Sequence, residues 1–159
     1  MRRTLFLLFL LLAATLPAGA DEPAVRADAP VHDAALAERL GADERGMRKY
    51  VLVILKTGET RVPDGPERDH MFAGHFANMK RLADAGKLAV AGPFFTDPSG
   101  WRGLYVFAVE TIDEAKALAE TDPVVVQGEM VAEYHEWYGS AAMMLLPEWH
   151  ERLVPPSKP

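Results

Sequence analysis

Hydrophobic and polar positions change period several times along the chain, and each change marks an element. Ala34 to Leu40 carries a short helical stripe that Gly41 ends. Tyr50 to Lys56 is an almost unbroken run of β-branched and apolar residues closed by Thr57-Gly58, which predicts a strand buried on both faces. After the turn-rich stretch Pro63 to Pro66 a helical spacing takes over: Met71, Phe72, His75, Met79 and Leu82 share one side of a helix running to about Ala85, with Gly86 as its stop. Leu88 to Phe94 predicts a second strand, Thr96 to Gly100 a polar loop, and Arg102 to Val109 a third strand that completes a hairpin. Thr111 and Glu114 form a capping box for a helix burying Ile112, Ala115, Leu118 and Ala119. Asp122-Pro123 opens a turn of helix closed near Gly128, and Met130 to Tyr138 predicts a fourth strand. The order β-α-β-β-α-β defines an α+β class with the ferredoxin-like plan.

The ends read differently. Arg2 and Arg3, the apolar run Leu5 to Ala14 and the small residues Ala18-Gly19-Ala20 have the form of a signal peptide over residues 1–20, cleaved before Asp21. The apolar run is too short to span a bilayer, so a periplasmic or secreted protein is expected. Residues 21–47, rich in Ala, Pro and Asp at their start, read as a flexible leader carrying the short helix. Residues 48–141 form the domain, and 142–159 an apolar tail with a short helix, suited to wrap a partner subunit. There is no cysteine, which excludes disulfides, thiol catalysis and thiolate metal sites. Loss of Arg2 and Arg3 with the signal takes the formal charge from −6 to −8, an acidic balance that argues against nucleic acid or an anionic membrane as partner.

Few residues offer chemistry. His75 puts an ionisable ring on the apolar side of its helix, where an imidazole can take or give a proton; a core histidine satisfied by a backbone carbonyl is the alternative. Asp122 can orient and charge-stabilise a histidine, or simply cap the helix that Pro123 starts. Gly92 and Pro93, with Phe94 beyond them, make a rigid kink with a close backbone approach that can edge a pocket or merely end a strand. His135, Trp137 and Tyr138 on the fourth strand suit a pocket wall, a solvated edge or a subunit interface. His70, His75, His135 and His150 lack metal-ligand spacing, and Met71, Met79, Met130, Met143 and Met144 are spaced as core rather than as copper ligands. Walker, Rossmann and Gly-x-Ser-x-Gly patterns are missing.

His75, then Gly86-Lys87-Leu88 and Ala91-Gly92-Pro93, then Asp122-Pro123 and Gly128 together resemble the YCII-related family over about Tyr50 to Tyr138. Leu40 to Met47 and Trp137 to Ala141 look like an exported branch of it. The resemblance implies a dimeric α+β barrel, with a cleft on each subunit near a His and Asp pair, here His75 and Asp122, and with Gly92 and Pro93 at the pocket edge. It also implies a histidine proposed as a phosphohistidine, and relatives that include a dehydrochlorinase, muconolactone isomerases, monooxygenases and haem-handling enzymes. The expected protein is an exported homodimer that needs no cofactor or metal. It isomerises or eliminates from a small phenolic or lactone-like molecule by His/Asp acid–base chemistry, with Trp137, Tyr138 or Phe94 as apolar walls. A non-catalytic ligand-binding or dimerisation module, and haem or copper handling, are the rival expectations.

Overall fold

The apolar run Tyr50 to Lys56 becomes the middle of β1 (Met47–Thr57), which is paired on both sides. The computed structural model describes residues 31–155; the expected signal peptide and the first part of the leader lie outside them. A short helix α1 (Ala34–Leu40) precedes β1 and ends on Gly41 in the left-handed conformation, as its sequence requires. Then follow α2 (Pro66–Asp84), β2 (Leu88–Pro93), β3 (Trp101–Phe107), α3 (Ile112–Ala119), α4 (Pro123–Val126) and β4 (Met130–Ser140). The chain finishes in a 3₁₀ turn (Ala141–Leu145) and helix α5 (Leu146–Glu151). No helix among the described residues is long and apolar enough to cross a membrane.

One sheet orders the strands β2-β3-β1-β4, with every neighbouring pair antiparallel. The fold is therefore α+β with the ferredoxin-like topology that the element order predicts. β1 and β4 pair along their whole lengths, from Met47 opposite Ser140 to Thr57 opposite Met130, which is why both strands outrun the apolar stretches that mark them in sequence.

Alternation along the strands sorts the sheet into two faces. Val51, Val53 and Leu55 of β1, Tyr105 and Phe107 of β3, and Met130 of β4 turn toward the helices. There they pack with Met71 and Leu82 of α2, Ala115 and Ala119 of α3, and Val124 of α4. On the opposite face Tyr50, Ala89, Val106 and Ala108 form a smaller cluster, covered by Met143 and Met144 of the 3₁₀ turn. The tail expected to wrap a partner thus packs first on its own sheet, because two methionines of the turn find an apolar surface there.

α3 begins with the capping box in full: the Thr111 hydroxyl accepts from the Glu114 amide, and the Glu114 carboxylate accepts from the Thr111 amide. α2 begins instead at Gly65 with no side-chain cap, and Pro66 supplies the first helical position.

Candidate functional site

α2 buries Met71, His75, Asn78 and Leu82, a spacing of four, three and four that keeps one stripe against the sheet. His75 is therefore placed by helix geometry, one turn from Met71, in a core position. Asp122 arrives from the other crossover, as the residue that caps α4: its Oδ1 accepts from the Val124 amide at 3.2 Å. The cap leaves the rest of the carboxylate free to turn inward. Both oxygens stand within hydrogen-bond reach of His75 Nδ1, at 3.0 and 2.9 Å, and Asp122 has no exposed surface.

A third side chain completes the group. Tyr105 lies on the helix face of β3, 2 % exposed, and its hydroxyl donates to Asp122 Oδ2 at 2.7 Å while standing 3.2 Å from His75 Nδ1. Burial pushes the Tyr105 phenol far above its ordinary range, and the Asp122 charge and the hydrogen bond to it push the same way. The phenol is a fixed neutral donor. With its proton spent on Asp122, the pattern assigns the His75 proton to Nδ1, where it is donated to the carboxylate. The lone pair of the neutral ring then resides on Nε2, which has no hydrogen-bond partner and is not an unpaired buried atom among the described residues. Phe72 and Phe76 set their rings edge-on to the imidazole, with centroids 5.9 and 5.3 Å away.

Sequence reading singled out His75 and Asp122, which the structure brings together, but not Tyr105. The available signal was the alternation of Gly103, Tyr105 and Phe107, which places a phenol on a buried face where its hydroxyl requires a partner. Asn78 was missed as well. Its Oδ1 accepts from Arg81 at 2.7 Å and from Thr121, the neighbour of Asp122, at 3.1 Å, tying α2 to the turn before α4.

The remaining pocket candidates lie elsewhere. Trp137 and His135 belong to the face of β4 turned away from α2, since Trp137 pairs with Tyr50 and His135 with Leu52. His135 bonds to Glu133 at 2.8 Å, and Glu133 also pairs with Lys56. Tyr138 donates to Asp43. Trp137 and Tyr138, with Glu110 and Glu136, border a separate hollow of about 230 Å³. Neither His75 nor Asp122 borders that hollow, so the expected pocket residues and the acid–base pair do not line one shared pocket. Phe94 packs on Trp101 at 5.3 Å beyond the exposed Gly92 and Pro93. A Cβ added at Gly92 would meet nothing within 4 Å, so no close backbone approach demands glycine there. Among the described residues no three His, Asp or Glu side chains converge as metal ligands do.

Topology and site together define a ferredoxin-like α+β domain with a buried Asp–His pair joined by a phenol. The family model for the YCII-related domain matches residues 48–138, and the chain belongs to that family. It is 29% identical over 91 residues to the uncharacterized protein YjpA of Bacillus subtilis strain 168, a match covering 57% of this chain and 95% of that one. Among solved structures it is similar to a 5-chloro-2-hydroxyhydroquinone dehydrochlorinase of Burkholderia phenoliruptrix AC1100 in complex with 2,5-dihydroxybenzoquinone. That likeness has 22% identity and a TM-score of 0.40, over 55% of this chain and 92% of the other.

Proposed function

We propose that this chain is an enzyme of proton transfer, in which His75 Nε2 is the general base and then the general acid toward a small organic molecule. The observation that carries this reading is the Asp122–His75 pair at 2.9 Å, with Tyr105 bonded to the same carboxylate. Asp122 holds the Nδ1–H tautomer and stabilises the imidazolium that forms when Nε2 accepts a proton. Tyr105 is a positioning residue, since it reaches the reaction only through Asp122. In an isomerisation Nε2 removes a proton from carbon, the freed electron pair shifts the double bond, and the same proton returns at another carbon. In an elimination the pair forms a new double bond while the leaving group departs with its bonding electrons. Neither step calls for a cofactor.

Turnover of a panel of hydroxylated, halogenated and lactone ring compounds tests the reading. His75→Ala should lower kcat by about 10²–10⁴-fold for any true substrate with the fold intact. Unchanged turnover in that variant rejects it, and retained ligand affinity without turnover in the parent chain leaves a binding module. Nitrogen-15 NMR of the resting protein should show the proton on Nδ1 of His75.

Two further parts of the proposal have their own tests. Residues 1–20 direct export, so protein recovered from the periplasm or medium should begin at Asp21. A second copy covers the sheet face that carries Val131 and Trp137, which are 48 % and 39 % exposed, so sedimentation should give a homodimer.

A further inference from the structure

The family match ends at residue 138, yet the chain continues in order to Pro155 and stays against the domain. From the end of β4 the 3₁₀ turn crosses under the sheet to β2, and α5 comes up beyond that edge strand until Glu151 stands 3.9 Å from Lys80 of α2. An edge strand without such a cover is open to pairing with other chains, so the extension protects β2. It also creates a concave space. Between α2 and β2 on one side and α5 on the other lies a cleft of about 760 Å³, within the range common for small-molecule sites, roughly 300–1,000 Å³.

The walls of the cleft are apolar, with Phe76 and Met79 on α2, Ala91 on β2, and Pro147 and Val154 from the extension. Two of these residues lead to the proton-transfer group. The Phe76 ring meets His75 edge-on, and Ala91 pairs with Tyr105 across the β2–β3 ladder. The rim is acidic: it carries Asp84, Glu148 and Glu151, and its Lys80 is already bonded to both Asp84 oxygens at 2.9 Å. His150 lines the cleft as well, and the three carboxylates outnumber Lys80 and His150 together, so the rim keeps a surplus of negative charge in either protonation state of the imidazole.

We infer that the C-terminal extension builds the substrate cleft, and that its ligand is an uncharged, largely apolar ring compound lying between α2 and α5 with its reacting end toward His75. This deepens the proton-transfer reading by naming the substrate class. Apolar walls stabilise a ring through burial, and a rim of surplus carboxylates raises the free energy of a carboxylate, phosphate or sulfonate ligand.

Two dyes of one ring system, N-phenylnaphthylamine and its sulfonate, anilinonaphthalene sulfonate, are titrated by fluorescence against the chain beginning at Asp21. The neutral dye should bind at least about tenfold more tightly than the anionic one. Ala91→Trp, which fills the cleft from an exposed strand position, and Val154→Asp, on the opposite wall, should each weaken the neutral dye at least about tenfold with the circular dichroism spectrum unchanged. Equal affinity for the two dyes, or neutral-dye binding unaltered in both variants, overturns the proposal. So does neutral-dye binding that falls as self-association rises, since the cleft would then be a contact between copies. Dye binding is read without turnover: a chain that binds as expected while His75→Ala keeps full turnover rejects the proton-transfer reading alone, and the reverse pair of results rejects the cleft alone.

Discussion

Replacing Tyr105 by Phe removes one oxygen from the buried Asp122–His75–Tyr105 group and leaves the ring in place, so no large cavity complicates the result. The lost bond is an O–H donated to a carboxylate at 2.7 Å, between side chains 2 % and 0 % exposed. Hydrogen bonds to charged groups contribute about 1.5–3 kcal/mol, and the short distance and the absence of exposed surface favour the upper half of that range. The expected loss is about 2–3 kcal/mol. With an m-value of about 1–3 kcal/mol/M, urea denaturation should show a midpoint lower by about 1 M and an unchanged slope. Asp122→Asn makes the acceptor neutral, and on that background the same Tyr105→Phe change should cost only about 0.5–1.5 kcal/mol. The double-mutant cycle therefore yields a coupling of about 1.5 kcal/mol. A Tyr105→Phe cost under about 0.5 kcal/mol, or single effects that add within about 0.5 kcal/mol, would refute a charged Asp122 held by the phenol.

Other perturbations test the frame around that group. Met71→Ala, one turn before His75 and 1 % exposed, should cost about 2–5 kcal/mol in the same assay. A Cβ at Gly58 would lie 2.0 Å from the Gly128 carbonyl oxygen, on backbone pinned by the Gly58 amide bond to Glu129 at 2.9 Å. Gly58→Ala should thus reach the upper end of the roughly 1–3 kcal/mol cost of overpacking, read as a lower thermal midpoint. Glu129 is buried, which pushes its carboxyl up, but the Val62 amide bond and the charges of Arg68 and Arg61 outweigh burial and hold it below its ordinary 4.5. The Arg68 guanidinium stands 2.7 Å from Oε1, close enough to favour the ionised carboxyl strongly. A carboxyl held lower in the folded than in the unfolded state contributes stability above its unfolded value and loses it as pH falls through the folded one. Wild type should therefore lose stability below about pH 4.5 more steeply than Glu129→Gln, measured by urea midpoints across pH.

The sequence made legible whatever is fixed by local periodicity. The stripe on α2, the Thr111–Glu114 box and the order of strands follow from spacing within one element, and each recurs in the structure. Asp122 was legible as a cap for the same reason, since Asp-Pro determines its own backbone. The meeting of Asp122 with His75 was not, because it joins two crossovers through the sheet order β2-β3-β1-β4. The family motif supplied that expectation, and local physics did not. Tyr105 escaped because its role depends on both partners at once: an alternating strand shows that it is buried, while only the fold shows which carboxylate it meets.

The fate of Trp137 and His135 follows the same logic. Period-2 alternation groups them correctly on one face of β4, but a sequence does not say whether that face looks toward α2. Val53 settles the matter: it is fully buried among the helices and pairs with Tyr134, which sends Tyr134 inward and its neighbours His135 and Glu133 outward. The path of the extension is set by a comparable long-range fact. Met143 and Met144 have nothing to pack on until Tyr50 and Val106 are assembled side by side from β1 and β3. Only then does α5 come to stand beside α2. On the reading developed above, the acid–base group is made by elements of the family domain, while the shape of its cleft is added by residues that follow that domain. Substrate choice can then diverge through the extension without disturbing Asp122, His75 and Tyr105.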